Sequence, residues 1–297
     1  MSSQSPAPLV HVDAYAGPEM ARRALSSGEA KARLEFLPTL VLGVLAGAYI
    51  ALGANFYTIV SANNGALGFG VGRLLGGLAF CLGLILVVVG GAELFTGNNL
   101  IIMAWLHHRV STGRLLRNWG IVYLGNFLGS VATAGLIFAT QQYALGDGAV
   151  GALAVKIAVT KVTLPWVAVF ARGIMCNALV CLAIWLCYSA RTTTDRILSI
   201  LFPITAFVAC GFEHCVANMY FIPAGLLFAL DPGVLAAYGG SVSQLTWSSF
   251  VVCNLIPATL GNIVGGAVMV GAVYWVAYLL PEHQRERRAQ REAGERS

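Results

Sequence analysis

Two stretches set polar side chains in the middle of long apolar runs: Glu93-Leu-Phe-Thr-Gly-Asn98 and Glu213-His-Cys-Val-Ala-Asn218. Titratable groups inside such runs are rare and functional by default, which singles out Glu93, Glu213, His214 and Lys161. An imidazole with an ordinary pKa of ~6.5 can offer a proton or a hydrogen bond near neutral pH. In a soluble core His214 would read as a ring satisfied by a neighbouring carbonyl. At a helix break flanked by Glu213 and Asn218 it reads as functional. The two glutamates read as structural, accepting hydrogen bonds from N–H groups freed at the breaks. Thr96 either presents a hydroxyl to a permeant ion or caps the half-helix that follows; both stay open. Lys161, before Val-Thr-Leu-Pro-Trp, is either a snorkelling anchor or an anion-attracting charge.

The elements that position these residues are membrane helices. The 297 residues are 58% hydrophobic and only 10% charged, against ~25% charged in a typical soluble domain. That excludes a soluble globular protein, and the apolar bulk excludes a nucleic-acid binder despite the net charge of +5. Apolar stretches recur at about 37–60, 71–106, 115–140, 163–188, 196–228 and 250–280. Each is long enough for a helix across a ~30 Å hydrocarbon core. The pattern predicts an all-α membrane protein of six transmembrane helices with a broken second and fifth helix. Irregular backbone at that depth survives only where it lines a cavity or is buried in protein. A polar arm (1–36) precedes this unit (37–280), a basic tail (281–297) follows it, and no signal-peptide pattern opens the chain. Seven cysteines, mostly within the apolar runs, read as buried thiols.

Fourteen of the 18 basic residues fall in the arm, the 107–118 link, the 189–196 link and the tail, all on one side of six spans. Arg73, Lys156, Lys161 and Arg172 remain for the other side. The bias predicts both termini in the cytoplasm. The halves 37–140 and 163–280 also echo one another: Gly125-Asn126-x-x-Gly129 matches Gly261-Asn262-x-x-Gly265, Glu93 and Asn98 match Glu213 and Asn218, and Gly43 matches Gly173. Three spans per half make this an inverted repeat, a design that sets a permeation site near the midplane where broken helices meet. No nucleotide-binding loop or His/Cys metal spacing is present, and His107-His108 reads as a solvated loop feature. No cofactor or metal is expected.

Gly-Ala-Glu-Leu-Phe-Thr-Gly-Asn (91–98), Cys-Asn-Ala-Leu-Val-Cys-Leu-Ala-Ile-Trp (176–185) and Gly-Phe-Glu-His-Cys-Val-Ala-Asn-Met (211–219) resemble the signatures of the formate/nitrite transporter family. The resemblance runs from about Phe36 to Leu280 and is nearest to the formate channels. Cys215 stands where members usually have Ser, Glu93 where the formate branch often has Asp, and Arg172 is similar to a basic residue of the nitrite branch. The resemblance implies an aquaporin-like fold in an inner membrane and a homopentamer with one pore per protomer. It implies a pore with Thr96, His214, Asn177 and a vestibular Lys161, supported by Glu93, Asn98, Glu213 and Asn218. Constrictions would fall at Phe80, Leu84, Leu94, Phe95 and Phe207, which by composition alone are ordinary span residues.

An anion stripped of water in an apolar slit is costly, so one histidine between apolar gates suits a small monocarboxylate neutralised in transit. The expected path has Lys161 gathering the anion, entry past Phe80 and Phe207, and a proton or strong hydrogen bond at His214 and Thr96. Formate is the expected substrate, with protons as partners; nitrite, lactate and hydrosulfide share its size and charge. A neutral-solute channel of the aquaporin type is the rival from another class, but paired Asn-Pro-Ala motifs are absent. An enzyme is not expected, because no paired catalytic residues are present.

Overall fold

A computed structural model describes residues 13–294. Residues 1–12 of the expected arm and 295–297 of the tail, Arg296 among them, lie outside the described residues, as does the Arg291 side chain. Every regular element among the described residues is helical. Four spans are long and apolar: Phe36–Ser61, Phe69–Gly90, Thr112–Ala139 and Trp166–Ser189. A fifth such helix, Trp247–Ala289, carries the sixth span and runs on into the tail. The expected fifth span comes as two shorter helices, Thr193–Ala209 and Cys215–Phe228, and the second of these bends by 108° into Pro232–Tyr238. The second span is broken likewise, ending at Gly90 and resuming as a helical run over 95–106. Large apolar side chains such as Leu136 and Phe202 stand on the outer faces, 69% and 82% exposed.

Both breaks have the same local cause. Gly91 and Gly211 sit at φ +75° and +73°, a region that favours glycine and ends helices. In each, the next N–H reaches back over the last turn, from Ala92 to Val87 O (2.9 Å) and from Phe212 to Phe207 O (3.1 Å). The chain then runs extended through Leu94 and His214 before each half-helix begins.

The repeated glycine motifs bring the spans into backbone contact. A Cβ on Gly129 would fall on the Val44 carbonyl oxygen, and one on Gly265 on that of Ile174. The third span therefore lies against the first, and the sixth against the fourth, as small residues allow in membrane helices. Only at that distance does an asparagine reach across to the neighbouring backbone.

The repeat extends further than 37–140 and 163–280. Helix Gly17–Arg33, inside the expected polar arm, has its counterpart in Ala149–Thr163, which precedes the fourth span. Each delivers one lysine to one break, Lys31 to Glu93 and Lys161 to Glu213. The described chain ends share one face: Arg22 of the first helix pairs with Glu282 of the tail helix, and Arg191 donates to Asp13 O. This is the terminal face below, and its opposite is the distal face. All seven cysteines are free thiols. Five are buried as expected, but Cys210 is exposed and Cys253 partly so, because one ends a helix beside the fifth-span break and the other faces outward.

Candidate functional site

At each break an asparagine replaces the missing helix bonds. Asn126 Oδ1 accepts the Phe95 N–H (2.9 Å), while its Nδ2 donates to Gly43 O (2.8 Å) and Glu93 O (2.9 Å). Asn262 repeats the pattern: Oδ1 accepts the Cys215 N–H (2.9 Å), and Nδ2 donates to Gly173 O (2.8 Å) and Glu213 O (2.9 Å). Each amide uses one acceptor and both donors, so backbone buried at membrane depth stays satisfied.

The glutamates hold the breaks from the other side. Glu93 accepts from Lys31 Nζ (2.6 Å) and Asn98 Nδ2 (2.7 Å); Asn98 also donates to Asn118 Oδ1 (2.9 Å). Glu213 accepts from Lys161 Nζ (2.9 Å), Asn218 Nδ2 (2.7 Å) and Asn254 Nδ2 (3.0 Å). Lys161 is paired with Glu213, and the Phe221 ring lies 5.4 Å from its Nζ. Removing one partner of a buried pair strands the other charge at a cost of about 3–5 kcal/mol. Lys161→Met should incur a loss of that order, since its side chain is 13% exposed and that of Glu213 only 3%. Lys31→Met should cost less, because Lys31 is 28% exposed. Thermal unfolding in detergent checks the order, and equal losses would contradict it.

The breaks differ in what they present. The repeat sets Leu94 opposite His214 and Thr96 opposite Val216, so each half breaks the symmetry with one polar residue. These two meet, with Thr96 Oγ1 3.0 Å from His214 Nε2. Neither is more than 2% exposed. The cap belongs to the histidine, not to Thr96: His214 Nδ1 accepts the Ala217 N–H at 3.0 Å. An Nδ1 that accepts cannot carry the proton, so the neutral ring bears it on Nε2. That N–H points at the Thr96 oxygen, and the Thr96 hydroxyl hydrogen has no protein acceptor among the described residues. Two donors can therefore converge on an anion at this point.

A cavity approaches the pair from each face, and the two share no lining residue. The distal one, about 420 Å³, is lined by Phe80, Phe207, Phe221 and His214 and by Arg73, Lys156, Lys161 and Arg172, with Glu213 its one acid. The four basic residues left over on that side of the sequence all lie here. The terminal one, about 660 Å³, is lined by Leu94 and by Arg22, Arg23, Lys31 and Arg196, against Glu19 and Glu93. Phe207 closes the distal cavity above His214: it stacks on the imidazole (5.8 Å between centroids) and meets Phe80 edge-on (5.5 Å).

Three residues expected at the pore line neither cavity. Asn177 is fully buried and donates to Thr96 O (3.2 Å), Asn99 Oδ1 (2.8 Å) and Asn262 O (2.7 Å), so it braces the two breaks against each other. Phe95 packs between Tyr123 and Trp119, at 4.9 and 6.0 Å, and lines neither cavity. Leu84 is 1% exposed and lines neither cavity, but it sits one turn from Phe80 of the distal cavity and one turn from Val87 of the terminal one, on the stretch between them.

A family model described as formate/nitrite transporter matches residues 18–276. The chain belongs to the formate/nitrite transporter family. It is 39% identical over 265 residues to the formate channel FocA of Escherichia coli, covering 88% of this chain and 93% of that one. It is 42% identical to the formate channel FocA of Haemophilus influenzae over 246 residues, covering 81% and 86%. Among solved structures, a pentameric formate channel with formate bound superposes with a TM-score of 0.76 at 42% identity, covering 81% of this chain and 96% of that one. An ion channel of the same family gives 0.75 at 30% identity, covering 87% and 98%. Membership makes the chain a membrane transport protein rather than an enzyme. It also accounts for the inverted repeat and the paired breaks.

Several residues of the formate/nitrite transporter site escaped the sequence reading. Lys31, Asn118 and Asn254 carried no expected role, yet they complete the two networks. The signal was available: Lys31 and Lys161 share the spacing of Gly43 and Gly173, and Asn118 and Asn254 that of Gly125 and Gly261.

Proposed function

We propose that the protein conducts formate across an inner membrane as a homopentamer, each protomer with its own pore and both termini cytoplasmic. The reading is carried by one observation: the Thr96–His214 donor pair lies between two cavities in which basic residues outnumber acidic ones. Positive walls concentrate an anion at either mouth. The apolar ring of Phe80 and Phe207 excludes hydrated ions, since a stripped charge finds no partner there. At the centre the carboxylate accepts the Nε2–H of His214 and the hydroxyl of Thr96, and transit as the protonated acid is favoured at low external pH. The relatives named as formate channels support formate over other small anions. Nitrite is the second reading, favoured by Arg172 on the distal wall.

Flux of radiolabelled formate, nitrite and glycerol into proteoliposomes tests this. Formate should pass fastest and glycerol at the leak rate. Raising salt from 0.1 M to 1 M should slow formate, as the Debye length falls from ~10 Å to ~3 Å. Faster nitrite would move the assignment to the second reading, and glycerol passing as fast as formate would overturn an anion pore.

A further inference from the structure

The link after the second span, expected to be solvated, instead buries His107. Its ring is 3% exposed, its Nδ1 has no partner among the described residues, and its Nε2 lies 3.5 Å from Glu286 Oε2. His283, itself 9% exposed, comes down onto it from the tail helix with ring centroids 4.8 Å apart. One ligand atom from each of His107, His283 and Glu286 lies within 4.8 Å of the others. His283 and Glu286 are one helical turn apart and so share a face of the tail helix. His108, held at φ +60°, sets a second imidazole 5.2 Å from His283. We propose that His107, His283 and Glu286 bind a divalent transition metal of the zinc type, clasping the tail helix to the 107–108 link on the terminal face.

The chemistry suits the ion. Two imidazoles and a carboxylate form a known zinc set that leaves a fourth position open, and His108 or water can take it. The exposed Glu286 has the freedom to close the remaining gap. Arg109, 3.9 Å from Glu286 and 4.0 Å from Glu29, is the group the metal must displace. The tail helix is already tied through Glu282 to Arg22 of the N-terminal helix. That helix also carries Lys31 to Glu93, so the clasp would fix the frame around the terminal cavity.

The test uses full-length, tag-free protein in detergent, because an affinity tag would bind the probe. After equilibration with Zn²⁺ and gel filtration, the wild type should retain one zinc per protomer, and Co²⁺ should give the visible absorption of a four-coordinate nitrogen and oxygen site. His283→Ala and Glu286→Gln should weaken binding by at least about tenfold, the scale of even an outer-shell change. Their formate flux without metal should match the wild type, which shows that they fold. Zinc should also slow tryptic cleavage of the tail in the wild type and not in the variants. No retained zinc in the wild type, or equal zinc in all three proteins, would overturn the site.

Discussion

Formate flux through a His214→Asn variant should fall by roughly 10- to 100-fold and lose its stimulation by acid. Asparagine is among the best helix caps, so it can still accept the Ala217 N–H that Nδ1 accepts now. The half-helix should therefore survive and the protein should fold. What disappears is the titratable ring and the Nε2–H beside Thr96. A hydrogen bond to a charged acceptor contributes about 1.5–3 kcal/mol, which sets the expected loss. Initial rates in proteoliposomes across a series of external pH values measure it. A variant that kept the wild-type rate and pH profile would remove His214 from the mechanism.

Phe207→Ala should admit larger carboxylates. The ring covers His214, meets Phe80 edge-on, and Phe80 in turn stacks on Phe221 at 6.4 Å. Taking it away widens the distal cavity where it reaches the imidazole. The ratio of lactate to formate flux should rise several-fold while the thermal midpoint drops modestly. Leu115→Ala is the contrasting case. Leu115 is buried with Ile101 and Val110 and lines neither cavity, so its truncation should cost about 2–5 kcal/mol of stability and leave the ratio unchanged. An unchanged ratio in Phe207→Ala, or a changed one in Leu115→Ala, would contradict this placement of the gate.

The spans, the breaks and the inverted repeat were legible because each is written in local chemistry. Apolar runs have the length of a bilayer, glycine at positive φ ends the helix, and a glutamate five residues before an asparagine recurs in both halves. What was not legible is which way a side chain points once the helices pack. Asn177 and Phe95 sit inside the signatures yet face protein, because spacing along a motif does not say which way each side chain points. The pairing of Lys161 was hidden because its partner Glu213 lies 52 positions away. The N-terminal helix was hidden by its polar composition, although its inner face is buried at Met20, Ala21, Ala24 and Ala32. His107 was misread because nothing local to the link announces that the tail helix folds back over it. Thr96 and His214 were expected together on one path, and they are also the positions where the two aligned breaks disagree in polarity.

The central claim is that His214 presents Nε2–H, with Nδ1 held as an acceptor, to an anion bound beside Thr96. Magnetic resonance of isotope-labelled histidine in the reconstituted channel tests it directly, with the His214→Asn variant assigning the signal. The geometry predicts one neutral ring protonated at Nε2, whose Nε2 resonance shifts when formate is added and does not shift with glycerol. A ring protonated at Nδ1, or an Nε2 resonance indifferent to formate, would contradict it.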